Sequence, residues 1–148
     1  MLEEMEILKL ICNRLEDNNI SYMLTGSWAA NFYAVPRMTR DIDIVIQILD
    51  VDVSKFVQIF PENEFYVPEN SITEAIKHEN MFNIIHLESV YKIDFVIKKN
   101  NLYRTTEFER KRRIEFDKSP IWIVAPEDLI ISKLLWSKDT LSEQNLSQ

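Results

Sequence analysis

Glycine is almost missing from this chain. Its 148 residues include one, Gly26, where a globular sequence ordinarily gives glycine about 7% of its positions. One glycine, not followed by lysine, excludes a Walker A loop, a Rossmann fingerprint and a kinase glycine loop. Cysteine is as scarce. The single Cys12 excludes an internal disulfide and a cysteine-rich zinc site, and it is consistent with a reducing cytoplasm. No apolar run approaches the ~20 residues of a membrane span, and the acidic start, Met1-Leu-Glu-Glu-Met-Glu6, lacks the cationic opening of a signal peptide. A cytoplasmic protein without membrane association is therefore expected. Positive charge is also in deficit: 17 Lys and Arg stand against 24 Asp and Glu, a formal charge of −7. Such a chain has no general attraction for nucleic acid or anionic lipid, so a polyanion must bind at a local basic site. Apolar residues are not lacking. With 46% hydrophobic and 28% charged residues, the chain can bury a core of ordinary size, and its length fits one domain.

Leu2, Met5, Leu8, Ile11 and Leu15 recur at helical spacing, which predicts an amphipathic helix over 2–16. Asp17-Asn18-Asn19 ends it, with asparagine serving as the left-handed cap. The pattern then predicts a strand over 20–25, a turn at Gly26-Ser27, a helix over 28–34 and a strand over 41–48. Helices are expected over 53–60, 71–78, 102–113 and 126–136, the last with Pro126 in its first turn. Strands are expected over 81–87, 92–97 and 120–124, the first two joined near Glu88-Ser-Val-Tyr91. No repeat or linker divides the chain. One domain follows: an N-terminal helix (1–19), a core (20–124), a C-terminal helix (125–138) and a polar tail (139–148). The class is α/β, or α+β, with a mixed sheet flanked by helices.

Chemistry concentrates in two places. Thr39-Arg40-Asp41-Ile42-Asp43-Ile44-Val45-Ile46 sets two carboxylates one residue apart in an apolar strand. Alternate strand residues share a face, so Asp41, Asp43 and Val45 point one way and the isoleucines the other. Neighbouring α-carbons on one face are roughly 6–7 Å apart. Two like charges that close repel, and a divalent cation removes the conflict; Mg²⁺ takes one or two carboxylates together with water and phosphate oxygens. An exposed edge strand that uses Asp for solubility is the plainer alternative. A third acid, Asp94, interrupts the apolar strand Tyr91-Lys92-Ile93-Asp94-Phe95-Val96-Ile97. If these strands pair, three carboxylates come together and could hold two ions, one for an attacking hydroxyl and one for a departing pyrophosphate. Upstream, the helix that starts at Gly26-Ser27 would aim backbone N–H groups at an anion, though serine is also a plain N-cap. Arg37 and Arg40 could clamp a triphosphate, and Lys133 could reach one; each could equally be a solvated side chain. The basic run Glu109-Arg-Lys-Arg-Arg113 reads first as a solvated helix face. His78 and His86 show no metal-ligand spacing. Trp28, Trp122 and Trp136 read as core or core-edge residues.

Gly26-Ser27, Asp41/Asp43 and Asp94, with Arg37-Met-Thr39-Arg40 before the acids and Ala125-Pro126-Glu127-Asp128-Leu129-Ile130-Ile131-Ser132-Lys133-Leu134 near the end, resemble the DNA polymerase β-like nucleotidyltransferase superfamily. The resemblance covers most of residues 20–138. It points to the small bacterial branch of minimal nucleotidyltransferases from toxin–antitoxin pairs and abortive-infection enzymes. It implies that fold and transfer of a nucleoside monophosphate from an NTP to an acceptor hydroxyl, with pyrophosphate released. Asp41 and Asp43 would bind Mg²⁺ or Mn²⁺, two ions with NTP present. Asp94 would be a further ligand and general base, and Gly26 and Ser27 would cradle phosphate. ATP is the expected donor, although no residue stands out as a reader of the base. The acceptor is left open among a protein side chain, an RNA end and a small molecule. The rival expectation is a non-catalytic protein of the same fold, an antitoxin or binding subunit. A homodimer or a cognate toxin or antitoxin partner is also expected, from the apolar positions Leu129, Ile130, Leu134 and Trp136 of the last helix.

Overall fold

The computed structural model describes residues 2–33, 41–132 and 134. Arg37, Arg40, Lys133 and Trp136 lie outside this set, as do the side chains of Ser27 and Asn31. Helix α1 (Leu2–Asp17) leads into β1 (Ser21–Thr25), α2 (Gly26–Tyr33) and β2 (Asp41–Gln47). A single 3-10 turn precedes α3 (Val53–Ile59), followed by β3 (Phe65–Tyr66), α4 (Glu69–His78), β4 (Met81–His86) and β5 (Lys92–Ile97). Helix α5 (Leu102–Glu109) and the hairpin β6 (Arg112–Phe116) and β7 (Ser119–Ile123) come next. The last helix, α6, covers 126–132 and 134 among the described residues. The strands form one mixed sheet in the order β3-β4-β5-β2-β1-β7-β6. At its centre β2 runs antiparallel to β1 and parallel to β5. The α/β class with helices around a mixed sheet is as expected.

The alternation in the central strands decides which face becomes core. Ile42, Ile44 and Ile46 of β2 and Ile93, Phe95 and Ile97 of β5 are buried, and register sets Ile44 beside both Leu24 and Phe95. Leu8, Ile11 and Leu15 of α1 and Phe56 of α3 are fully buried. Phe56 meets Phe60, Phe82 and Phe95 with ring centroids 5.0–5.5 Å apart. The contacts with Phe82 and Phe95 are edge-on, and such pairs are worth about 1 kcal/mol each beyond the area buried. The opposite face carries Asp41, Asp43 and Asp94.

With one glycine available, other residues take the left-handed turns. Asn19 has φ 57°, as expected for the cap of α1, and Glu79, Val90, Asp117 and Lys118 also have positive φ. The helix expected over 102–113 stops at Glu109, and Arg112 onward is strand. The basic run is therefore not a solvated helix face. Arg110 grips the fully buried Asp128 through Nε–Oδ2 at 3.1 Å and Nη2–Oδ1. Arg112 pairs with Glu127 and Arg113 with Glu16. Lys111 lies over the rings of Phe108 and Trp122. These cations tie the hairpin and the end of α5 to α1 and α6. Among the described residues, no helix is long and apolar enough to cross a membrane.

Candidate active site

The acid face is assembled by register. In the parallel ladder of β2 and β5, Asp43 is level with Asp94 and Asp41 with Lys92. On the other side of β2, Thr25 is level with Asp43. The two acids that sequence separates by about a third of the chain are thus cross-strand neighbours. Their backbones are rigid because both strands lie in the interior of the sheet. The Ile and Phe residues between them anchor the other face in the core, so a one-residue slip would bury the acids and expose the core.

Asp94 is buried, at 7% exposure, and its Oδ1 has no hydrogen-bond partner among the described residues. Lys92 Nζ, 3.6 Å from that oxygen, forms an ion pair there at a separation too long for a hydrogen bond. Asp43 is half-buried. Its carboxyl is pushed from 3.8 up to about 6, first by loss of water and then by the charges of Asp94 and Asp41. Burial also raises Asp94, while Lys92 pulls it back. Between the two, Asp94 raises Asp43 and Asp43 lowers Asp94, so protonation is favoured at Asp43. Two carboxylates in this relation hold more negative charge than the site stabilises alone.

Gly26 closes the site from the side of β1. Its φ is +67°, and a Cβ there would lie 2.8 Å from Asp43 Cγ and 2.9 Å from Asp43 Cβ. The glycine thus serves the turn and leaves room for the Asp43 carboxylate. This reason for the sole glycine is independent of any phosphate, and β-strand spacing alone could not reveal it. Helix α2 starts at this glycine, against Asp43.

The donor set consists of hard oxygens, which suit Mg²⁺ or Mn²⁺. Among the described residues, no three such side chains form a preformed cage. What exists is the Asp43/Asp94 pair, with Asp41 one pleat away on the same strand face. Mg²⁺ takes two carboxylates together with phosphate oxygens and water, and the unpartnered Asp94 Oδ1 and the raised Asp43 carboxyl are compatible with that donor set. Lys92 was not singled out in the sequence. Its placement level with Asp41 follows from strand register, which a lone lysine in an apolar strand does not disclose.

Neither a protein-family model nor a curated protein matches the sequence. Solved structures do. TM1012 of Thermotoga maritima, a nucleotidyltransferase candidate, superposes with a TM-score of 0.71 at 16% identity, over 99% of this chain and 92% of that one. The lincosamide antibiotic adenylyltransferase LnuA, solved with lincomycin bound, gives 0.57 at 16% identity, over 82% and 80%. The antibiotic-resistance factor ANT(2'')-Ia gives 0.58 at 14% identity, over 93% and 74%. At such identities the likeness shows the fold: this chain has the polymerase β-like nucleotidyltransferase fold.

Proposed function

We propose that this protein is a nucleotidyltransferase that moves a nucleoside monophosphate from an NTP to an acceptor hydroxyl. The observation that carries the reading is the level placement of Asp43 and Asp94 on adjacent strands, with Asp41 on the same face and Gly26 against Asp43. The shared fold with an adenylyltransferase supports it. Asp41, Asp43 and Asp94 would hold divalent metal. Bound Mg²⁺ or Mn²⁺, two ions with NTP in place, would neutralise phosphate charge and polarise the acceptor hydroxyl.

Each remaining part has a role for the chain itself. The turn at Gly26 and Ser27 would present backbone N–H groups to the phosphates. Arg37, Arg40 and Lys133 are assigned to the triphosphate on sequence grounds. Lys92, which offsets the Asp94 charge in the free protein, would turn toward phosphate as the acids take up metal. Asp94 would accept the acceptor's hydroxyl proton on a carboxylate oxygen; its raised affinity for protons suits a base. The acceptor oxygen then bonds the α-phosphorus, the bond to the bridging oxygen of the β-phosphate breaks, and pyrophosphate leaves. Phosphoryl-type transfer demands positioning and charge neutralisation more than covalent help from the protein. ATP is the proposed donor.

Incubation with each α-labelled NTP, Mg²⁺ or Mn²⁺ and lysate of the source cell tests the reading. Label from one NTP should move to a discrete acceptor, and Asp43→Asn or EDTA should abolish the transfer. No transfer from any NTP, with the wild-type protein folded and metal present, would contradict an enzyme and leave a binding subunit.

A further inference from the structure

A cleft of about 350 Å³ lies on the acid face, one pleat beyond the carboxylates. Thr25, Val45 and Val96 form its floor. Val45 and Val96 are level with each other and follow Asp43 and Asp94 by two residues on the same face. Phe108, from α5, also lines the cleft. The rim is cationic, with Lys98, Lys99 and Arg104 against the one carboxylate of Glu107. Glu107 is buried and already held, by Arg104 at 3.0 and 3.2 Å and by Ser132 at 3.1 Å. Among the described residues, neither Lys98 nor Lys99 forms an ion pair. In a chain of net charge −7, this is a local positive site with an apolar floor.

Its position relative to the acids gives it a role. Strand β1 runs antiparallel to β2 with Thr25 level with Asp43, so Gly26 and the start of α2 lie toward the Asp41 end of the row. Val45, Val96 and Lys98 lie toward the other end. The turn and the cleft therefore flank the carboxylates from opposite sides. In-line displacement at phosphorus needs the nucleophile and the leaving group on opposite sides. With pyrophosphate at the turn, the nucleophile arrives from the cleft. We propose that this cleft binds the acceptor, and that the acceptor is a small hydroxylated anion of the sugar-phosphate type, its phosphate on Lys98 and Lys99 and its hydroxyl toward Asp94. This rests on the nucleotidyltransferase reading of the same face. The volume is at the lower end for ligand pockets, which fits one sugar ring and leaves no room for a folded partner. The rim repels a polycationic acceptor.

Calorimetry on the full chain tests this with glucose 6-phosphate as the probe, and with glucose and glucosamine as neutral and cationic comparators. Glucose 6-phosphate should bind, more weakly as salt is raised, and the comparators should bind at least about tenfold less well. Lys98→Glu/Lys99→Glu should abolish that binding and leave NTP binding with Mg²⁺ unchanged. If the double variant does not fold, Lys98→Gln/Lys99→Gln, checked by its melting curve, should weaken the probe by about tenfold. Equal binding of glucose or glucosamine, or no binding of the phosphate ester, would overturn the proposal. So would competitive displacement of the probe by NTP, which would make the cleft part of the donor site. Probe binding that persists while NTP fails to bind with any metal would instead remove the transferase reading and keep the anion site.

Discussion

At Asp43 the structure places a carboxylate where its charged form is disfavoured by burial and by two neighbouring acids. The consequence is a stability that depends on pH in a stated direction. The folded protein keeps the Asp43 proton up to about pH 6, whereas an exposed carboxyl would lose it near 3.8. Between these values the native state binds more protons than the unfolded one, so the Asp43 contribution to stability is present at low pH and is lost as pH rises through the window. Asparagine carries no such proton. In EDTA, Asp43→Asn should therefore gain stability relative to wild type as pH rises from 4.5 to 7.5, and urea melts at the two pH values measure the change. Parallel behaviour of the two proteins would show that Asp43 is not strained by its neighbours. A bound divalent cation would remove the repulsion that burial amplifies, which supports the metal role proposed for these carboxylates.

Elements follow the sequence where a local pattern and tertiary burial agree. Helix α1 and strands β1, β2, β4 and β5 sit within one or two residues of their expected ranges, because their apolar period is the same one the core enforces. The acid row was legible as parts: the Asp-x-Asp strand and the lone Asp94 strand stand out by alternation. Their pairing is a tertiary fact that residue order does not dictate. Strand β6 was not legible. Its first residues, Arg112 and Arg113, belong to the run that reads as a helix face, and its turn, Asp117-Lys118, uses two left-handed residues without glycine or asparagine. That hairpin depends on distant partners, among them Lys9 to Asp117 at 3.0 Å and Trp28 against Phe116. The two-residue β3 was missed for a similar reason, since pairing with Ile85 and His86 creates it. The scarcity of glycine also stores strain. Val90, a β-branched residue, sits at φ 63° in the turn between β4 and β5 and is well exposed, so little packing depends on its side chain. Val90→Gly should stabilise the protein by about 1 kcal/mol, read from the urea midpoint; a loss of stability would show that the turn is held by the side chain after all.

Across the whole molecule the sheet is not uniform. Six consecutive residue pairs join β2 to β5 and five join β1 to β2. The β6–β7 hairpin meets β1 through the single registered pair Leu24 and Ile123, supported by the bond from Val124 N to Leu24 O. Side chains complete the seam, including the Arg113–Glu16 ion pair and the bond from Trp122 N to Tyr22 Oη. Cooperative units with fewer ladder bonds open first. Amides of β6 and β7 should exchange with solvent faster than those of β2 and β5, and equal protection would mean that the sheet opens only as one body. The acid row is thereby built on the most strongly paired strands, as a site that must hold its geometry requires. The role proposed for that row in metal and nucleotide binding is tested most directly by titrating NTP into the metal-free protein, with and without Mg²⁺, for wild type, Asp43→Asn and Asp94→Asn. Binding that needs Mg²⁺ and is lost in both folded variants is the expected result; binding of equal strength in EDTA, or unchanged in the variants, would contradict the assignment of these carboxylates.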